Sequence, residues 1–232
     1  MSEVIGVDAC RDGWIAASRD GSGTIRCRRI RQLADLFVGP ARPRIVAVDT
    51  PIGLLDQGSR DCDVEARRLL GTRRSSVFPA PIRPILTARS HADASRIRRL
   101  VEGKGVSIQT WAIVPKIAEV DRLLHADMKR RDIVREVHPE VSFLFLNGGR
   151  PIHSSKKKSA GHRERAALLQ TWFGQAVTDA LAKRRELRCQ ADDVLDALVV
   201  LWTAERIAAG TAISIPSTSL LDAQGLRMEM LA

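Results

Sequence analysis

Apolar runs separated by turn residues dominate the first fifty positions and predict a sheet. Four runs have the length and polarity of strands: residues 4–8, 14–19, 24–30 and 44–49. A short helix is predicted for residues 31–38, between the third and fourth runs. The fourth run is apolar on both faces, which is typical of a parallel strand in the centre of a sheet.

The order of these elements indicates the fold class. Three strands, a helix and then a parallel strand is the order in which the RNase H-like fold begins. We therefore predict an α/β protein with a mixed five-stranded sheet and flanking helices. The last strand of this core is predicted at residues 132–137.

The segment between the fourth and fifth strands, from about residue 60 to 131, has a helical pattern instead. Helices are predicted at residues 61–70, 92–102 and 115–130, and prolines fix a loop at 75–81. We interpret the segment as a helical insertion that covers the site. The whole chain, residues 1–232, is then one domain rather than two.

The last third of the chain is predicted to return to the core. Helices are expected at residues 163–172 and 191–208, and a hairpin is expected around Gly225, with strands near 213–215 and 226–230. Lys156-Lys157-Lys158 lies in a polar stretch before the first of these helices. We interpret that triplet as a mobile basic loop.

The charge of the chain changes the picture of its partners. A net charge of +10 and a pI near 10.3 favour a polyanion, and nucleic acid is the leading candidate. The alternative is that the positive charge reflects only a general preference for arginine in the composition, because 30 of the 37 basic residues are arginine. Aromatic residues make up only 4% of the chain, so a platform that stacks bases is not expected.

The cysteines and the apolar stretches bear on the compartment. Four dispersed cysteines, without a C-x-x-C pair or a nearby histidine cluster, argue against a zinc site and a disulfide framework. Glu3 and Asp8 interrupt the stretch that a signal peptide would need, and the apolar run at 197–202 is too short to span a bilayer. We expect a cytoplasmic protein.

Acidic residues recur where buried elements end or begin. Asp8 ends the first strand, Asp49 ends the fourth, and Asp192-Asp193 opens the last long helix. Asp196 lies one turn inside that helix, so it cannot be a cap, and it shares a face with the other two acids. Burying such charges together is costly without a balancing cation. Because Mg²⁺ and Mn²⁺ prefer oxygen ligands, we predict a metal site formed by Asp8, Asp49, Asp193 and Asp196.

The fifth strand adds further candidates. Glu136 or Glu140 could complete the acidic site, or either could pair with an arginine. His138 lies on the same strand face as Glu136, and a histidine at such a position is more often structural than a ligand. The choice between Asp192 and Asp193 also stays open.

Several motifs together resemble a known family. They include Gly6-Val7-Asp8 with Gly13-Trp14, the segment 48–54, Arg60-Asp61-Cys62-Asp63 with Arg67, the segments 75–81, 115–119 and 136–140, and Asp192-Asp193 through Leu198. The chain resembles the domain of unknown function 429 family, a bacterial and archaeal group described as predicted nucleases with an RNase H-like fold. The motifs cover nearly the whole chain.

The resemblance implies a metal-dependent nuclease. In RNase H-like enzymes, acids on the first strand, on a later central strand and on the final helix bind two metal ions that promote phosphodiester hydrolysis. Asp8, Asp49, Asp193 and Asp196 occupy the matching places, and Glu136 is the fifth candidate catalytic residue. The expected cofactor is a pair of Mg²⁺ or Mn²⁺ ions.

Residues of the insertion and of the lysine triplet are the expected substrate contacts. Arginine forks bind phosphate oxygens at two points, and lysines bind them as single charges. The candidates are Arg60, Arg67, Ser75, Ser76, Lys116 and Lys157, with Arg73 and Arg74 nearby. For any one of these cations, a solvated helix face is the alternative.

Two other function classes stay open. Sugar kinases and actin-like ATPases share this core, but they use two copies of it, so a nucleotide-dependent phosphotransferase would require a dimer. A non-catalytic nucleic-acid-binding module would leave the acidic set unexplained. ATP turnover would indicate the first class, and metal-dependent cleavage of DNA or RNA would exclude the second.

Overall fold

A mixed sheet of five strands forms the centre of the protein. The computed structural model describes residues 3–39 and 42–232. The strands are β1 (Val4–Cys10), β2 (Gly13–Arg19), β3 (Ile25–Ile30), β4 (Ile45–Val48) and β5 (Val134–Glu136). Their order is β3-β2-β1-β4-β5, with β1, β2 and β3 antiparallel and β1, β4 and β5 parallel. The predicted α/β class with a mixed five-stranded sheet is confirmed.

Helices fill the connection from β4 to β5, as the sequence predicted. They are α1 (Asp61–Leu70), α2 (His91–Glu102), α3 (Ile108–Ala126) and α4 (Arg130–Ile133), with 3₁₀ turns at Gly71–Ser76 and Arg83–Thr87. The predicted start of α3 at Pro115 was wrong. The helix begins seven residues earlier because the Ser107 hydroxyl accepts a hydrogen bond from the Thr110 amide at 3.0 Å, and Pro115 is accommodated inside it.

The remaining helices follow β5 in the sequence and precede the C-terminal hairpin. They are α5 (Pro139–Leu146), α6 (Ser159–Phe173), α7 (Ala176–Ala182) and α8 (Ala191–Ala209). The sequence pattern predicted neither α5 nor α7. The expected hairpin is present as β6 (Ser214–Leu221) and β7 (Arg227–Leu231), and the short helix expected at 31–38 is a 3₁₀ turn, Leu33–Phe37.

Apolar side chains cover both faces of the main sheet. On one face Ile5, Val7 and Val48 pack with Leu123 and Leu124 of α3. On the opposite face Ile15, Ala17 and Ala47 pack with α8, whose buried stretch runs from Val194 to Ala204. Helix α8 is thus the central helix of the second layer, and it is the helix that carries the acidic residues.

A glycine sets the distance between α8 and the sheet. A Cβ built on Gly6 would lie 2.0 Å from the main-chain nitrogen of Leu201, so no larger residue fits there without moving the helix. Side chains alternate along a strand, so Asp8 lies on the same face of β1 as Gly6. The closest approach between strand and helix therefore occurs two residues from Asp8.

Two observations concern the compartment. None of the helices within 3–39 and 42–232 is long and apolar enough to cross a membrane. The four cysteines, at positions 10, 27, 62 and 189, are free.

Candidate metal and substrate site

The sheet brings Asp8 and Asp49 side by side. Val7 pairs with Val48 in the parallel ladder, and the Asp49 amide donates a hydrogen bond to the Val7 carbonyl at 2.9 Å. The residue after each strand partner is an aspartate. Two carboxylates from different parts of the sequence therefore meet on neighbouring strands, as the sequence predicted.

Helix α8 adds Asp196 to this pair. Asp196 lies five residues along α8 from Leu201, which corresponds to a rise of about 7.5 Å. Asp8 lies two residues along β1 from Gly6, which corresponds to a rise of about 6.7 Å. Asp196 therefore reaches the level of Asp8, and its side chain is only 2% exposed. We call Asp8, Asp49 and Asp196 the acid cluster.

Burial and mutual repulsion both act on the acid cluster. Burial raises the pKa of Asp8 well above its ordinary value, and the charges of Asp196 and Asp49 raise it further. Burial likewise raises the pKa of Asp196 to about 6, although Lys156 opposes this shift. The cluster is thus short of positive charge, which is the condition under which a divalent cation is favoured.

The two oxygens of Asp196 have different surroundings. Oδ2 accepts a hydrogen bond from Lys156 Nζ at 2.6 Å. Oδ1 is buried and has no hydrogen-bond partner. A buried carboxylate oxygen without a partner is costly, so a cation or donor bound at that oxygen would be stabilising.

Asp193 and Asp192 differ in their position on α8. Asp193 accepts a hydrogen bond from the Gln190 amide at 2.8 Å, so it caps the helix, and it also lines the same cavity as Asp196. Burial raises its pKa. Asp192 is half-buried and does not line the cavity. The structure therefore favours Asp193 as the fourth acid.

The acid cluster opens into a cavity of about 470 Å³. One wall is acidic, and the other is largely apolar, with Val77, Phe78, Ile113 and Met230. Arg73, Lys116, Lys156 and Lys157 place positive charge around the same space. The combination suits a ligand that has an anionic group and an apolar part.

Lys116, one of the predicted substrate contacts, also contacts the central sheet. Its Nζ donates a hydrogen bond to the Gly13 carbonyl at 2.8 Å and lies 4.3 Å from the centre of the Trp14 ring. Glu119, one turn along α3, accepts a hydrogen bond from Trp14 Nε1 at 2.9 Å. Lys116 thus lines the cavity while clamping α3 to the turn between β1 and β2.

Arg60 and Glu136 lie in a separate cluster. The Arg60 guanidinium donates to both oxygens of Glu136 at 2.8 Å and to Asp63 Oδ1 at 2.6 Å. All three side chains are at most 3% exposed, and the Ile52 amide also donates to Glu136. Arg60 therefore has no surface to offer a phosphate, and Glu136 lines the same cavity as the acid cluster but is already paired with a cation. We call Arg60, Asp63 and Glu136 the arginine cluster.

The tightest group of potential metal ligands within the described ranges belongs to the arginine cluster. Ligand atoms of Cys62, Asp63 and Glu136 all lie within 4.8 Å of one another, and no other such trio occurs among residues 3–39 and 42–232. The guanidinium of Arg60 already neutralises these acids. The acid cluster is spaced more widely, so its carboxylates would have to draw together around one small ion.

Glu140 and His138 are also engaged elsewhere. Glu140 is 5% exposed and pairs with Arg165 at 2.6 Å, with Arg73 at 3.6 Å beside it. His138 Nε2 lies 3.3 Å from the Ser76 carbonyl. Both residues line the cavity, but their contacts are those of structural groups.

The other predicted substrate contacts separate into two groups. Ser76 and Lys157 line the cavity. Arg67 instead donates hydrogen bonds to the carbonyls of Arg74 and Val77, at 3.0 and 2.5 Å, and so fixes the loop. Ser75 is exposed and lies outside the cavity lining.

A comparison with protein families assigns the chain to one of them. A family model described as protein of unknown function (DUF429) matches residues 6–220. The chain belongs to the DUF429 family. The DUF429 segment contains every residue of the cavity wall except Met230. Searches among curated proteins and among solved structures gave no match.

Lys156 is the member of the DUF429 site that sequence reasoning missed. The sequence predicts a mobile basic loop for the lysine triplet and favours Lys157 as the substrate contact. The structure instead directs Lys156 into the acid cluster. Only the triplet itself signals this from sequence, because nothing in the spacing shows which of three lysines turns inward.

Proposed function

We propose that this DUF429 protein is a nuclease that hydrolyses phosphodiester bonds with two Mg²⁺ or Mn²⁺ ions, by an RNase H-like mechanism. The observation that carries the proposal is Asp196, buried beside Asp8 and Asp49, with one carboxylate oxygen that has no partner. The sheet order and the placement of acids on β1, directly after β4 and on the final long helix support it.

The donor set fits the proposed ions. Asp8, Asp49, Asp196 and Asp193 offer only carboxylate oxygens, which hard divalent cations prefer. When bound, such ions would supply the Lewis-acid charge that activates the attacking water and stabilises the leaving oxygen. The surplus negative charge of the buried acids would attract them.

The protein's own residues would bind and orient the substrate. Lys157 and Arg73 line the same cavity as the acids and would hold phosphate oxygens there. Phe78 is 47% exposed beside the cavity and can contact an apolar face of a nucleotide. The high net charge favours a nucleic acid over a neutral ester.

The test is cleavage of labelled single-stranded, duplex and branched DNA and of RNA, with Mn²⁺, with Mg²⁺ and with chelator. We expect cleavage only with the ions, and a loss of at least about 100-fold in Asp49→Asn with substrate binding retained. Asp192→Asn is the matched control and should stay active, since Asp192 does not line the cavity. Activity that survives in Asp49→Asn would assign the cleavage to a contaminant.

A small phosphorylated substrate is the second candidate. The cavity volume of about 470 Å³, with an apolar wall, is large enough for one nucleotide. Cleavage of nucleotides or aryl phosphodiesters, without binding of any DNA or RNA at low salt, would favour this candidate over a polymer.

A further inference from the structure

The segment between α5 and α6 carries three consecutive lysines, and they have different surroundings. Lys156 extends into the acid cluster, and its Nζ lies 2.6 Å from Asp196 Oδ2. Lys157 and Lys158 are exposed, and of the two only Lys157 lines the cavity. One lysine of the triplet therefore contributes its charge to the acids.

The position of Lys156 is fixed by contacts of the two residues that precede it. Arg165 is fully buried, and its Nη1 donates to the Ser154 carbonyl at 3.1 Å while Nη2 pairs with Glu140. A Cβ built on Gly161 would lie 2.1 Å from the Ser155 carbonyl oxygen, so helix α6 presses directly on the segment. The contact of Lys156 with Asp196 is thus held by main-chain anchors.

The charges around Lys156 explain why its ammonium stays there. The acids carry three negative charges when all are ionised, and Lys156 is the one cation that contacts them among the described side chains. The ammonium therefore neutralises part of the charge that would attract a divalent ion.

We propose that Lys156 is a built-in counter-cation of the acid cluster that competes with a divalent cation for Asp196 and so limits the affinity of the site. The proposal rests on the proposed function. An ion that uses both oxygens of Asp196 must displace the ammonium from Oδ2, and one that uses Oδ1 alone is repelled by the nearby positive charge.

A phosphate in the cavity would relieve this competition. It offers the ammonium of Lys156 another anionic partner, which frees Oδ2 of Asp196. Substrate binding should then strengthen ion binding, and by linkage ion binding should strengthen substrate binding to the same degree. Lys156 would thereby couple the filling of the metal site to the presence of substrate.

Titration calorimetry of Mn²⁺ into the full-length protein tests the proposal. Lys156→Met should bind Mn²⁺ roughly tenfold more tightly than the wild type, since a positive charge close to the ion is removed. Lys158→Met removes the same charge from the same segment outside the cavity and should leave the affinity unchanged. Lys156→Arg keeps the charge and should retain weak binding, which also covers the case in which the methionine variant does not fold.

The possible results separate this proposal from the proposed function. Equal or weaker Mn²⁺ binding in Lys156→Met, with the wild type binding Mn²⁺ and cleaving nucleic acid, overturns the role of Lys156 alone. A wild type and a Lys156→Met variant that both fail to bind Mn²⁺ overturn the metal site and this proposal together. A tenfold gain that also appears in Lys158→Met shows general charge attraction and counts against a specific competitor.

Discussion

Two groups of acids line the same cavity, and they are neutralised in different ways. In the arginine cluster, Arg60 contacts both oxygens of Glu136 and reaches Asp63 at the same time. The guanidinium fork matches the carboxylates, and main-chain amides of Ile52 and Ala80 supply further donors. This group is closed, because its acceptors are already satisfied.

The acid cluster is open by comparison. Lys156 makes one hydrogen bond to Asp196, whose second oxygen has no partner, and the space beside it is a cavity. Compactness alone would choose the arginine cluster, since the acids around Arg60 are the closer set. The difference teaches that an unsatisfied acceptor, rather than close acidic spacing, distinguishes a candidate site from a structural ion pair.

The largest expected effect is on the closed cluster. Arg60→Gln should lower the free energy of unfolding by about 3–5 kcal/mol, because it leaves Glu136 and Asp63 buried without their cation. Denaturant unfolding measures this change. Lys156→Met, measured in chelator, should cost far less, since Lys156 is partly exposed. Equal losses of unfolding free energy in Arg60→Gln and Lys156→Met would show that the two clusters do not differ in this way.

The next effect is the dependence of stability on pH that Asp196 contributes. Burial raises the pKa of Asp196 from 3.8 to about 6. The folded protein therefore keeps a proton that the unfolded chain has released, and wild-type stability falls as pH rises from about 4 to about 6. Asp196→Asn cannot ionise, so it should gain about 3 kcal/mol relative to the wild type over that range.

Chemical unfolding at several pH values, in chelator, measures this difference. Asp192→Asn is the matched control one turn earlier on α8, and its stability should follow the wild type across the range. A constant difference between Asp196→Asn and the wild type from pH 4 to 7 would show that Asp196 ionises as it does in water.

The smallest effect concerns the cavity rim. In an Asp49→Asn background, which prevents cleavage, Lys157→Met should reduce the salt dependence of oligonucleotide binding by about one phosphate contact. The loss should be the same for all sequences, because phosphate contacts carry no base information. Fluorescence anisotropy at several salt concentrations measures the slope. Lys183→Met, an equal charge change near β3, is the control. An identical change in the salt dependence of binding in this variant would show that Lys157 has no specific role at the cavity.

The sequence predicted what local pattern and strand order determine. Alternation and apolar runs predicted all five core strands, and Asp8 and Asp49 followed from the rule that adjacent parallel strands end together. Asp196 followed from its place one turn inside an apolar helix. These signals are local, so no knowledge of the packing was needed.

The pattern could not show which partner each charged residue would find. The sequence predicts that Arg60 binds phosphate. In the structure Arg60 is 2% exposed, because it pairs with Asp63 and Glu136 in the interior. Only folding brings Glu136 to it. Lys156 and Asp196 are likewise 40 residues apart in sequence. Pairings of this kind depend on tertiary contacts, which single-sequence periodicity does not contain.

The close contact at Gly6 has a consequence for ion selectivity. Because main chain touches main chain there, the separation between the strand that carries Asp8 and the helix that carries Asp196 cannot adjust by side-chain repacking. Mg²⁺ and Ca²⁺ differ in ligand distance by only about 0.3–0.5 Å. A methyl group at position 6 would move the helix by more than that. In the proposed metal site, Gly6 would therefore limit the size of the ion, and replacing it should favour larger ions before it abolishes binding.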